Sequence, residues 1–162
     1  WEHFGSNEIE NVLGRMRYFV KVLGVRYIVL DHVSILVSDQ SNGDERRALD
    51  MIMTKLRTFV QEMGICMFLV SHLRRPEGKQ LEDGAVTSLG MLRGSASIAQ
   101  LSDAVIGAER NSHSDDSIVR NTTVLRVLKN RYTGKTGKAC EVFYNEATGR
   151  LTQRDEREEQ PL

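Results

Sequence analysis

The chain has 162 residues, 27% of them charged, with 22 Lys and Arg against 22 Asp and Glu. That length suits one domain with a sizeable core. A net charge of zero excludes a globally basic nucleic-acid coat protein but leaves room for a local basic loop.

No apolar run approaches a membrane span and no signal peptide is visible, so a cytoplasmic protein is expected. Cys66 and Cys140 lie in apolar runs without a CxxC spacing and read as buried, reduced thiols. The chain opens at Trp1 almost directly into a helix, so a longer parent is expected.

Asn7 and Glu10 have capping-box spacing. Behind them Ile9, Val12, Leu13, Met16, Phe19, Val20 and Leu23 recur at helical spacing, and Gly24 can end the helix. Residues 26–31, "RYIVLD", form a short β-rich run stopped by an acid. A polar stretch, 38–44, leads into a second amphipathic helix with Ala48, Ile52, Leu56, Phe59 and Met63 on one face and Gly64 at its end. Residues 65–71, "ICMFLVS", are continuously apolar, as expected of a strand buried on both faces. From 73 to 92, Pro76, three glycines and many charges predict a long loop. "SASIAQL" predicts a short helix and 104–109 a third strand. A polar loop, 111–117, precedes two β-like runs, 119–129 and 138–145. Strand–helix alternation with unbroken apolar strands predicts an α/β fold: a mostly parallel sheet covered by helices, closed by an antiparallel hairpin. Residues 1–152 form the expected domain, and 153–162 a charged, frayed tail.

The stretch "NRYTGKTGK" (130–138) contains Gly-Lys-Thr, but Lys129 stands where a phosphate loop needs its first glycine. The following "KACEVFYN" favours a strand over the helix that such a loop must enter. A hairpin turn is the better reading.

Four groups of residues can carry chemistry, each with a plainer alternative. Asp31 ends a strand where ligands bind in open α/β sheets, and suits a Mg²⁺ water shell; it also suits a turn cap. His72 ends the next strand and can face the same crevice, or be a solvated loop histidine. Arg74, Arg75 and Lys79 gather positive charge on a loop, for nucleic-acid phosphates or simply as a wet face. Lys129 and Arg131 are two apart and point to one side if the strand stays extended. Arg131 then offers a fork suited to phosphate, as in an arginine finger, or both cations are solvated.

Together "YIVLDHVSILVS", "FLVSHLRRP", "LRGSASIAQLSDAVIGAERN" and "VLKNRYTGKTG…VFYN" resemble, in order and spacing over residues 2–151, phage primase–helicase helicase domains. These are hexameric replicative helicases of the DnaB type, with a RecA-like core. The resemblance implies that Asp31 is the Walker B acid and His72 the phosphate sensor, with Gln100 near the terminal phosphate. It implies that Arg74 and Lys79 face single-stranded DNA, with Arg93 and Gly94 opening the next channel motif. Arg131 matches the trans-acting finger, with Lys129 beside it, and Arg110 and Tyr144 match the pair that sandwiches the base. The implied cofactors are ATP or dTTP and Mg²⁺. The implied partners are single-stranded DNA, further copies in a hexameric ring, and a replication polymerase or primase; the implied place is the replication fork in the cytoplasm.

Arg75 has no clear counterpart in the family pattern, and Ala99 occupies a position that is often basic. The family's Walker A loop and catalytic glutamate belong upstream of the residues matched here. The chain alone is therefore expected to bind ATP weakly and hydrolyse none, and the adjacency of His72 and Arg74 suggests that His72 relays the phosphate state to the basic loop. Two other readings remain: a recombinase-like ATPase that forms filaments on DNA, and a non-catalytic interaction module.

Overall fold

Two passages of the same design begin the fold. In the computed structural model, whose described residues are 8–37, 45–75, 78–92 and 96–154, α1 (Ile9–Lys21) and α2 (Glu45–Met63) are each followed by a turn through a glycine. Gly24 (φ 70°) and Gly64 (φ 62°) take the left-handed conformation that other residues adopt only at a cost. Val25 then donates to the Phe19 carbonyl and Ile65 to the Val60 carbonyl, satisfying groups that the helix ends leave open. Each turn delivers the chain into a short strand, β1 (Tyr27–Leu30) and β2 (Cys66–Leu69). The two strands pair in parallel with Leu30 opposite Leu69.

The chain divides into two compact units, Trp1–Leu73 with Leu92–Ser102, and Arg74–Met91 with Asp103–Leu162. In the first, the predicted helix stripes pack as expected. Ile9, Val12, Leu13 and Met16 of α1 and Ala48, Ile52, Leu56 and Phe59 of α2 are buried together. A 3₁₀ turn (Val33–Leu36) and α3 (Ala96–Leu101) contribute Val33, Leu36 and Ile98. Leu23, expected on the α1 stripe, lies beyond the helix end and is exposed. The strands correct a second expectation. Ile28, Leu30, Met67 and Leu69 face the helices, but Tyr27 and Phe68, on the other face, are 72% and 56% exposed. Among the described residues the helices cover one face of the pair only. Cys66 alternates onto the open face, so it is exposed rather than buried; Cys140 is half-buried, and both are free thiols.

The second unit is an antiparallel sheet in the order β3 (Ala104–Arg110), β4 (Thr122–Asn130), β5 (Gly137–Asn145), β6 (Arg150–Arg154). The hairpin over the Gly-Lys-Thr stretch is therefore confirmed, and the antiparallel part is larger than a hairpin. β3 pairs with β4, and β6, which charge concealed in the sequence, adds an edge strand reaching into the expected tail. Residues 155–162 of that tail, and the Asn7 cap, lie outside the described residues. The run at 119–129 is not all strand: the Asp116 carboxylate accepts from the Ile118 and Val119 amides, at 2.8 and 3.4 Å, and starts the one-turn helix α4 (Ser117–Asn121). No described helix is long and apolar enough to cross a membrane.

Candidate functional site

Because β1 and β2 run parallel in level register, whatever follows each strand leaves from the same end. Val70 donates to the Leu30 carbonyl at 2.9 Å and Val33 to the Val70 carbonyl at 3.1 Å, which keeps the two chains side by side beyond the strands. Asp31 follows β1 directly and His72 comes three residues after β2; both are exposed. The rings of His32 and His72 meet edge to face, with centroids 4.3 Å apart. Nδ1 of His32 is buried and has no partner among the described groups. The structure thus brings the predicted acid and imidazole to one end of one strand pair, and adds His32, which sequence reasoning passed over. Gln100 lies on the exposed side of α3 in the same unit.

A single exposed carboxylate fits Mg²⁺, which keeps most of its water and needs only one or two protein carboxylates. No group of three or more His, Cys, Asp or Glu suited to an all-protein metal cage occurs among the described residues.

The other expected nucleotide residues belong to the second unit. β4 stops at Asn130, whose Oδ1 accepts from the amides of Tyr132 and Thr133 at 3.0 and 3.2 Å. Gly134 closes the turn on the Asn130 carbonyl with φ 68°. Arg131 is therefore the first turn residue, and the strand alternation that was to place it beside Lys129 ends before it. Its amide donates to the Asp103 carbonyl at 2.8 Å, and Nη1 lies 3.4 Å from the Asp103 carboxylate. Lys129 remains in the strand, opposite Val105.

Arg110 and Tyr144 share a sheet face. Arg110 is paired with Thr123 and Thr123 with Val142, and Tyr144 lies two residues further along β5. The Arg110 guanidinium is held by α4: Nε donates to the Arg120 carbonyl at 2.7 Å and Nη2 to Asn121 Oδ1 at 3.3 Å. Asn121 is buried and donates in turn to Glu146 at 2.8 Å. A fixed guanidinium plane and an exposed phenol ring on one face can both stack on a planar ligand.

On the predicted loop Arg74, Arg75 and Lys79 are exposed, while Arg93 and Gly94 lie outside the described residues. The loop is anchored by a cluster that was not foreseen. The amide and the hydroxyl of Thr87 both donate to Glu109 Oε1 at 2.8 Å. Arg126 grips the same carboxylate with Nε on Oε1 at 2.7 Å and Nη2 on Oε2 at 3.1 Å. Burial works to raise the Glu109 carboxyl, but the bonds from Arg126 and Thr87 and the guanidinium's attraction outweigh it and hold it below its ordinary value. The available signal was an acid closing an apolar run, two residues after Gly107. A cavity of about 230 Å³ beside this cluster is lined by Gly84, Asn111, Thr122, Val124 and Glu141 among others, and none of the residues expected to touch nucleotide or DNA lines it.

Residues 3–153 match the model of the DnaB-like helicase C-terminal domain. A DNA helicase/primase of Enterobacteria phage T3 is 41% identical over 152 residues, which cover 93% of this chain and 26% of the phage protein. A DnaB-like replicative helicase, solved for its interactions with primase, superposes with a TM-score of 0.71 at 20% identity, over 89% of this chain and 34% of that one. A KaiC-like protein of the archaeon Pyrococcus horikoshii gives 0.63 at 16% identity, over 91% of this chain and 57% of that one. At such identity these two establish the fold, which is RecA-like, with its parallel strands, helices and C-terminal antiparallel sheet. The chain spans about a quarter of the length of the phage relative. On the family match over nearly its whole length, this chain belongs to the DnaB-like helicase C-terminal domains.

Proposed function

We propose that the chain is part of an ATP-dependent replicative DNA helicase that moves on single-stranded DNA as a hexameric ring, hydrolysing ATP or dTTP between subunits. The observation that carries this reading is the division of the chemistry. Asp31 and His72 leave the same end of a strand pair in the first unit, whereas Arg131, Arg110 and Tyr144 stand on the second. Chemistry divided between two units of one chain suits a nucleotide held between protomers.

Bound Mg²⁺ neutralises phosphate charge. Asp31 orients its water shell from the end of β1. His72 donates to the terminal phosphate, with Gln100 nearby. Arg131 enters the neighbouring protomer's site, with Lys129 preceding it in β4. Arg110 and Tyr144 hold the base. Arg74, Arg75, Lys79 and Arg93 meet DNA phosphates, and Gly94 lets backbone approach the strand. The isolated chain hydrolyses no ATP. The parent acts at the replication fork in the cytoplasm with a primase or polymerase as partner, a reading supported by the primase interactions of the structural neighbour.

Mixing variants tests the reading. In the full-length protein that carries this chain, Asp31→Ala and Arg131→Ala each lose about 10³-fold or more of DNA-stimulated ATP hydrolysis. Mixed in equal amounts, they regain part of it, because some interfaces join an intact acid to an intact finger. Absence of recovery from mixed rings, with each variant still assembling, overturns the trans finger.

A further inference from the structure

We propose that Glu109 and Arg126 fasten the basic loop to the strand that leads to Arg131, so that loop and finger move as one piece. The inference rests on the reading that the loop meets DNA and that Arg131 meets a neighbour's nucleotide. It adds a second route beside the relay from His72 to Arg74, which are two apart in sequence.

The fastening has three parts. Glu109 is the first: its side chain is 6% exposed, so little water reaches the carboxylate that takes the two Thr87 donors and the Arg126 fork. The loop can come this close only because position 107 has no side chain, since a Cβ there would lie 2.1 Å from Thr87 Oγ1. The second part lies nearer the loop's middle. Asp83 bridges to Asn111, Ser112 donates to the Glu82 carbonyl at 3.3 Å, and His113 Nδ1 lies 2.8 Å from the Asp83 carboxylate. Third, the Arg74 backbone amide donates to the Met91 carbonyl at 2.7 Å and draws the two stems of the loop together.

Arg126 stands five residues before Arg131, roughly 17 Å along the strand direction. Arg131 is itself tied by its amide to Asp103, at the start of β3. The β3–β4 pair is thus held at one end by Glu109 and Arg126 and at the other by Asp103 and Arg131. A pull on Lys79 or Arg74 reaches Arg131 through Thr87, Glu109 and β4, without passing through His72. The loop of one protomer then reports on the nucleotide that its own finger touches next door.

Two measurements decide this. First, amide exchange across residues 80–87 is compared in the wild-type chain, Thr87→Val, Thr87→Ser and Glu109→Gln. Thr87→Val and Glu109→Gln are expected to exchange there about tenfold faster, a loss matching one net hydrogen bond, with Thr87→Ser close to wild type. Unchanged protection in both weakened variants overturns the fastening. Second, a fifteen-residue thymidine oligonucleotide is titrated at low salt while the Nε signals of Arg126 and Arg131 are followed. Both signals are expected to move in the wild type, and Arg131 to stop responding in Thr87→Val although the oligonucleotide still binds. A bound oligonucleotide that leaves Arg131 unmoved in the wild type, or moves it equally in Thr87→Val, overturns the coupling. If the wild type binds no oligonucleotide, the DNA reading of the loop fails and the coupling falls with it, while the exchange experiment still decides the fastening.

Discussion

The two units of this chain are held together by different means. The first buries aliphatic and aromatic side chains: Phe59, Ile52 and Val33 are each no more than 2% exposed. In the second, the only buried hydrophobic residue among those described is Ala85, while Thr87, Glu109 and Asn121 are buried polar groups. One is stabilised by a non-directional force proportional to area, the other by strand ladders and a few directional contacts with fixed geometry. A unit that is to present side chains at set positions gains from the second kind of cohesion, because a fork on a carboxylate has one orientation and an aliphatic contact has many.

The largest effect that tests this contrast is expected from Phe59→Ala, which empties a buried site near the end of α2 and costs about 4 kcal/mol. Amide exchange should show the loss across α1, α2 and the β1–β2 pair, with β3–β6 far less affected. Equal loss in both sheets would mean that the units unfold as one cooperative body.

The mirror experiment is Arg126→Met, expected to destabilise the second unit because it leaves the Glu109 carboxylate without its cation. Exchange should now quicken in β3, β4 and residues 80–87. The guanidinium is a quarter exposed, which places the effect at the low end of values for buried pairs. A loss below about 1 kcal/mol, the range of solvent-exposed pairs, would show that water readily replaces Arg126.

The same contrast explains what the sequence could convey. Gly24, Gly64 and the helix stripes were legible because a helix end and an amphipathic face are local patterns, complete within a few residues. The hairpin over residues 130–138 was legible for the same reason. Asp31 and His72 could be placed at one strand end because parallel strands align their ends. The Glu109 cluster joins residues 17 and 22 positions apart, and nothing near Thr87 or Arg126 marks them as partners. Side-chain alternation also misled where it stopped: an extended strand through Arg131 predicted a paired Lys129 and Arg131, but the Asn130 side chain ends the strand first. The apolar run at 65–71 reads as buried on both sides because Phe68 and Val70 are as apolar as Met67 and Leu69, though only the latter pair meets the helices.

A third, smaller effect is expected from Gly107→Ala, at about 2 kcal/mol, the ordinary cost of forcing an extra methyl into a packed contact. The added carbon meets Thr87 Oγ1 and Cβ, so the loop must lift from the sheet. Combining it with Thr87→Ala, which removes part of the obstruction, should recover a portion of that stability. Full additivity of the two losses would mean that they do not share this contact.

The smallest effect is the response to acid, and its sign follows from Glu109. Burial raises the carboxyl while Arg126 and Thr87 lower it more, so the folded chain holds this proton less tightly than the unfolded chain does. The stabilisation is therefore complete above the ordinary glutamate value of about 4.3 and fades as pH falls through the lower folded value. In Glu109→Gln the amide can still accept from Thr87, but there is no charge to lose. The melting temperatures of wild type and Glu109→Gln should thus differ most near neutrality and draw together as pH falls below the ordinary glutamate value, with the convergence confined to β3–β6 when followed by residue. A gap that stays constant from about pH 6 to about pH 3 would mean that the ionised carboxylate adds nothing beyond its shape. The second unit would then be held by its ladders alone.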